Sequence, residues 1–223
     1  MLTIKNWFAA GGLVMWPLLA CSLLALAIAI EKFWNVRRRA VLRKDSLEAV
    51  RALVEEGRLE KAIAFCRSHP LPLTNIFREA LEHYAYGWEE MEKAVEHRGR
   101  QEAGELDRYL NLLGVVSSVA PMLGLLGTVW GLVKVFQELG SAGAERAAAL
   151  SVGIAQALVA TGTGLTIGIP SLVLYFYFHG RIERLVLEME QHTFELFRTL
   201  RERAAAVAAP GREAASAGEG GSR

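Results

Sequence analysis

Residues 152–170 read VGIAQALVATGTGLTIGIP and lie inside an apolar run longer than a soluble helix ordinarily carries. With Gly153 at zero and a step of about 100° per residue, Gly153, Ala157, Ala160, Thr161, Gly164, Gly168 and Ser171 fall on one side of a helix. Gln156 and Thr163 flank that side, and Ile154, Leu158, Leu165, Ile169 and Leu172 occupy the opposite one. One arc suits lipid or bulky packing. The other lets a second backbone or water come close, so the span is built to face more than lipid.

The rest of the chain fits a membrane protein. Of 223 residues 52% are hydrophobic and 22% charged, so the charges are segregated from the apolar runs. A formal net charge of +1 gives no reason to expect a nucleic-acid partner. The two cysteines, Cys21 in an apolar run and Cys66 in a polar segment, make neither a disulfide framework nor a metal site.

Residues 1–11, with Trp7 and Phe8 beside Lys5, fit a short segment lying at the periplasmic surface of a membrane. Residues 12–36 hold the run GLVMWPLLACSLLALAIAI, long enough to cross about 30 Å of hydrocarbon. It lacks a convincing small-residue cleavage site and is expected to remain as an anchor. Arg37, Arg38, Arg39, Arg43 and Lys44 follow, and a basic cluster next to a span marks the cytoplasmic side. The N-terminus is then periplasmic and the C-terminus cytoplasmic.

Residues 37–108 read as a small helical cytoplasmic domain. Asp45 or Ser46 can cap a helix that Gly57 ends, a second stops at Pro70, and a third runs over about 73–86 to Gly87. From Trp88 no proline or turn signal intervenes, which predicts one long helix rising into the second span, residues 109–136. There Gly114, Ser117, Pro121, Gly124, Thr128 and Gly131 recur at spacings of 3, 4, 3, 4 and 3, a seam of small and polar residues. Pro121 is expected to bend the helix and free a carbonyl. A periplasmic loop (137–147), a third span (148–178), a cytoplasmic C-terminal helix (179–207) and a tail of disordered composition (208–223) complete the chain. The fold class is an all-α membrane protein with three transmembrane helices, two of them extended into the cytoplasm.

No H-E-x-x-H, Walker A, G-x-S-x-G or paired-cysteine spacing occurs, so neither an enzyme nor a metal or cofactor site is expected. Neither small-faced span has an aspartate, glutamate or histidine near its middle, and Lys134 is close enough to a boundary to snorkel. Thr128, Thr161, Thr163 and Gln156 offer hydrogen bonds but do not titrate near neutrality. If ions cross here, this chain supplies a polar lining and another chain the titrating group. The alternative, that the faces only pack helices, stays open. Three spans leave little room for an enclosed pathway, which would lie on an oligomer axis.

The segments APMLGLLGTVWGLVKVF at 120–136 and GIAQALVATGTGLTIGIPSLV at 153–173 resemble the MotA/TolQ/ExbB proton-channel family. MWPLLACSLLALAIAIEKFW and GRLEKAIAFCRSHPLPL are similar to its ExbB and TolQ branch, and the likeness covers about residues 15–179. The resemblance implies a homopentameric inner-membrane ring around the single spans of two ExbD- or TolR-like subunits, with an aspartate of that partner taking the proton. A TonB- or TolA-like protein that spans the periplasm is a further implied partner. It also implies pore threonines at Thr128 and Thr161. The polar and small-residue faces themselves add Gln156, Thr163, Pro121 and Ser117 as pathway candidates and Gly114, Gly124, Gly131, Gly153, Gly164 and Gly168 as helix-packing positions. Gln156 departs from the family, which commonly has glutamate there, so a charged role does not carry over. The function implied is a subunit that uses the proton-motive force to move a partner. The alternative is a non-conducting scaffold of an envelope complex.

Overall fold

The computed structural model describes residues 11–36, 41–138 and 144–218. Helix α1 spans Met15–Asn35, α2 Lys44–Glu55, α3 Leu59–Ser68, α4 Pro72–His83, α5 Trp88–Asp107, α6 Leu110–Glu138 and α7 Ala144–Gly218, and no strand occurs among the described residues. The chain divides into two compact units, one from Met1–Trp34 and Asp107–Gly180, the other from Asn35–Leu106 and Arg181–Arg223.

The first unit holds three helical stretches long and apolar enough to cross a membrane: α1, α6 and the first part of α7. Their outward side chains are large and apolar, with Met122 68%, Leu158 69% and Trp16 66% exposed. In water such a surface would aggregate; against acyl chains it is at home. Inside, Val14, Met15 and Leu18 of the first stretch cluster with Ala120, and Cys21, Leu123 and Ile167 pack around them. Helix α6 runs through Pro121 without interruption. Proline has no N–H for the Ser117 carbonyl four residues back, and that oxygen lies where a Cβ on Gly168 would come within 3.1 Å.

The second unit is polar outside and buries Val50, Val54, Ala62, Cys66, Leu73, Ile76, Phe77, Met91, Leu185, Met189, Leu196 and Leu200. Helix α3 packs on both α2 and α4. A 3₁₀ turn, Tyr84–Tyr86, leads to Gly87 at φ +104°, and α2 ends at Gly57 with φ +80°, conformations that glycine adopts without a Cβ penalty. Arg203 of α7 donates from Nη1 to the Val54 and Glu55 carbonyls at 2.9 and 2.8 Å, closing the C-terminus of α2. Glu102 is buried and accepts from Asn75 Nδ2 at 2.8 Å and Arg98 Nη2 at 2.6 Å. An unpartnered carboxylate there would cost a few kcal/mol.

Three expectations are corrected. Neither Asp45 nor Ser46 caps α2: the N-cap is Arg43, and both lie within or beside the first turn. Helix α5 stops at Asp107 and α6 starts at Leu110, so the long helix expected from Trp88 is broken. Tyr109 adopts φ +65° there, with the Arg108 guanidinium 4.7 Å from its ring centroid. No glycine or proline announces that break, because a non-glycine residue is held in the left-handed region where the chain passes between units. The C-terminal helix continues directly from the third span, as expected, but α7 also runs on through 208–218, where a disordered tail was expected and where alanines on both sides of Pro210 and Gly211 favour helix. The interfacial segment 1–10, Arg37–Arg39 of the basic cluster and 139–143 of the loop lie outside the described residues.

Candidate functional site

The site is built on the contact between α6 and the first part of α7, which run antiparallel: Gly131 meets Gly153, Gly124 meets Gly164, and Pro121 meets Gly168. Glycine is needed because backbone touches backbone. A Cβ on Gly131 would fall 2.8 Å from the Gly153 carbonyl oxygen, one on Gly164 2.6 Å from the Ala120 oxygen, and one on Gly124 3.0 Å from the Ala160 oxygen. Without hydrophobic driving force in lipid, such close packing is what holds spans together. Gly168 receives the Pro121 ring and Gly114 the Tyr175 ring.

The contact line has two unlike flanks. In steps of about 100°, Ala120, Leu123, Gly127 and Lys134 fall to one side of Gly124 on α6, and Pro121 and Thr128 to the other. On α7, Gln156, Thr163 and Ile167 fall to one side of Gly164, and Thr161 to the other. In an antiparallel pair, flanks of like angular sign lie on the same side, so these sets match. The first span covers the former flank: Gly12 lies against Gln156, Val14 approaches Gly127, and Leu18 clusters with Ala120 and Ile167. Thr128 and Thr161 share the flank that the first span does not cover, about one helical turn apart, and both are half-buried.

The expected site residues are therefore divided. Thr161 Oγ1 donates across the pair to the Gly124 carbonyl at 3.3 Å, while Thr128 Oγ1 donates to Leu125 O at 2.6 Å within its own helix. Ser117 is buried and bonds Gly114 O at 2.7 Å, and Pro121 is half-buried. Thr163 bonds Val159 O at 2.7 Å. Gln156 is only 8% exposed and accepts from Lys134 Nζ at 3.4 Å. It and Thr163 stand on the first span's flank, apart from Thr128 and Thr161. Sequence reasoning missed Gly12, Gly127 and the Lys134 contact. The spacing Gly124, Gly127, Gly131 was visible as a signal; the approach of Gly12 was not, since it is set by tertiary packing.

A family model for the MotA/TolQ/ExbB proton channel family matches residues 69–191, more than half of the chain. The chain belongs to the MotA/TolQ/ExbB proton channel family. It is similar to a putative biopolymer transport protein ExbB-like 3 of Synechocystis sp., 34% identical over 192 residues, covering 84% of this chain and 90% of that protein. It is also similar to a putative ExbB homolog of Methanothermobacter thermautotrophicus, 32% identical over 84% of this chain and 67% of the relative. The Tol-Pal system protein TolQ of Pseudomonas aeruginosa matches at 38% identity over 86 residues, 39% of this chain and 37% of that one. Membership of the ExbB/TolQ branch, with three apolar spans, makes this a multi-pass inner-membrane subunit of the proton-channel, energy-transducing kind.

For a family member the chemistry on the α6/α7 pair is specific. Residues 110–133 and 150–174 contain no titratable side chain. The pair can offer hydroxyl and carbonyl dipoles to a passing charge but cannot itself take up a proton near neutrality.

Proposed function

We propose that several copies of this chain form a ring, with the Thr128/Thr161 flanks turned to a central axis that encloses ExbD/TolR-like single-span subunits. The observation that carries this reading is the division of the α6/α7 pair: the first span covers the Gln156 flank and leaves the threonine flank open. Protons reach an acidic group of the enclosed partner along the threonine hydroxyls, and the resulting change in charge moves the partner against the ring. One charge crossing about 100 mV releases about 2.3 kcal/mol, enough to alter a modest interface. The polar unit lies in the cytoplasm, and the partner's periplasmic part sets which task is energised, by way of a TonB- or TolA-like protein where one takes part.

Thr128→Val and Thr161→Val test this in vesicles holding the ring and its partner. Each is expected to abolish partner-dependent proton flux while leaving the size of the assembly unchanged. Full flux in both variants overturns the reading. A second reading, a non-conducting scaffold, draws on the Thr161 bond to the Gly124 carbonyl, a packing use of the same hydroxyl. It predicts no flux dependent on the partner's acidic residue, and a loosened assembly in Thr161→Val.

A further inference from the structure

One side chain stands where all three spans meet. Gln156 of α7 is 8% exposed; its Oε1 accepts from Lys134 Nζ of α6 at 3.4 Å, and its Nε2 lies against Gly12, where a Cβ would come within 2.2 Å. Gly12 has φ +70°, so the backbone ahead of α1 turns there in a conformation that also favours glycine. A carboxamide suits this position because it presents an acceptor on one edge and a donor on the other. Lys134 fixes which edge points where: an ammonium has only donors, so the oxygen must turn to it and the nitrogen toward Gly12.

We infer that Lys134 is a positioning residue for Gln156 and that the pair, seated on Gly12, fastens the start of the first span to the α6/α7 hairpin. The charge allowed at position 156 follows from this. Residues 11–20, 127–137 and 150–160, which surround the contact from the three spans, contain one titratable side chain, Lys134. A carboxylate placed at 156 is neutralised as an ion pair while Lys134 is present, and becomes an unpaired buried acid when it is not. The inference stands apart from the pathway reading, since unfolding reports it whether or not protons cross.

The test uses the full-length protein in lipid nanodiscs, followed by thermal unfolding. Lys134→Met and Gln156→Met are each expected to lower the melting temperature by about 2–4 °C, and the double variant by no more than the larger single loss. Additive losses overturn the inference. Gln156→Glu supplies a readout that packing alone would not move. With Lys134 in place, its melting temperature should stay level from about pH 5 to about pH 8, because an adjacent cation keeps the carboxylate charged throughout. In the Lys134→Met background the carboxylate has no counter-ion, so stability present at the acid end, where the group is neutral, should be lost as pH rises through that range. Identical pH profiles in the two backgrounds, each corrected by its Gln156 parent, also overturn it.

Discussion

Cys66 lies on the inward side of α3 with 1% of its surface accessible, and burial pushes its thiol up to about 12. Arg78 pulls the other way and Glu82 adds to the rise, both by charge. The folded chain keeps a proton that the unfolded chain releases near the ordinary value of 9.0. The contribution is therefore intact below about pH 9 and is lost as pH climbs toward about 12. Melting temperatures over that window should fall more steeply for the wild type than for Cys66→Val, which keeps the apolar contact and loses the titration. Gly57 carries a different constraint. Its φ is +80°, and a Cβ would land 1.5 Å from Arg203 Nη2, so Gly57→Ala must both strain the backbone and dislodge the arginine that closes α2. A loss of about 2–3 kcal/mol in chemical unfolding is expected. Gly57 was legible as a helix terminator from its place after VRALVEE; its second duty to Arg203 was not, since that contact joins residues 146 positions apart.

At the level of elements, the α6/α7 contact is set by where a side chain is absent. Gly164→Leu places carbon against the Ala120 carbonyl and the Gly124 backbone, where nothing can rotate away. The helices must separate, at about 1–3 kcal/mol for overpacking. Gly162→Leu, two residues away and so nearly on the opposite face of the helix, with nothing within 4 Å of its Cβ site, should leave the pair intact. Thermal unfolding in lipid nanodiscs checks this: the melting temperature should fall for Gly164→Leu and stay at the parent value for Gly162→Leu. The small-residue period in both spans was readable from the sequence because glycine, alanine and serine recur at 3 and 4. Which side of that stripe holds the first span was not, because the apolar run at 12–30 is bulky nearly all round and points to no register. The break at Arg108–Tyr109 was equally hidden, since the one glycine of GELDRYLNLL, Gly104, lies inside α5 and the break itself carries neither glycine nor proline.

For the whole molecule, two units with different solvents should unfold separately. Urea solvates the apolar core and peptide groups of the polar unit, whereas the spans sit in hydrocarbon where every exposed N–H is costly. In nanodiscs, Cys66 should therefore become open to alkylation at urea concentrations that leave most of the helical signal of the spans. Loss of both together would show a single cooperative fold. The fold class was legible at this scale from the three apolar runs and the charged stretches between them. The assembly of the polar unit from two remote parts of the chain was not, as its C-terminal portion reads as a mere continuation of the third span.

That construction fixes an order of events during synthesis. The ribosome delivers α2 to α5 well before the stretch from Arg181 onward, which supplies Leu185, Met189, Leu196 and Leu200 to the same core. By then the nascent chain has already committed two further hydrophobic segments to the insertion machinery, while the apolar side of α2 to α5 remains uncovered. Nascent α2 to α5 should thus be a client for chaperones, and arrest of translation shortly after the third span should leave it protease-sensitive.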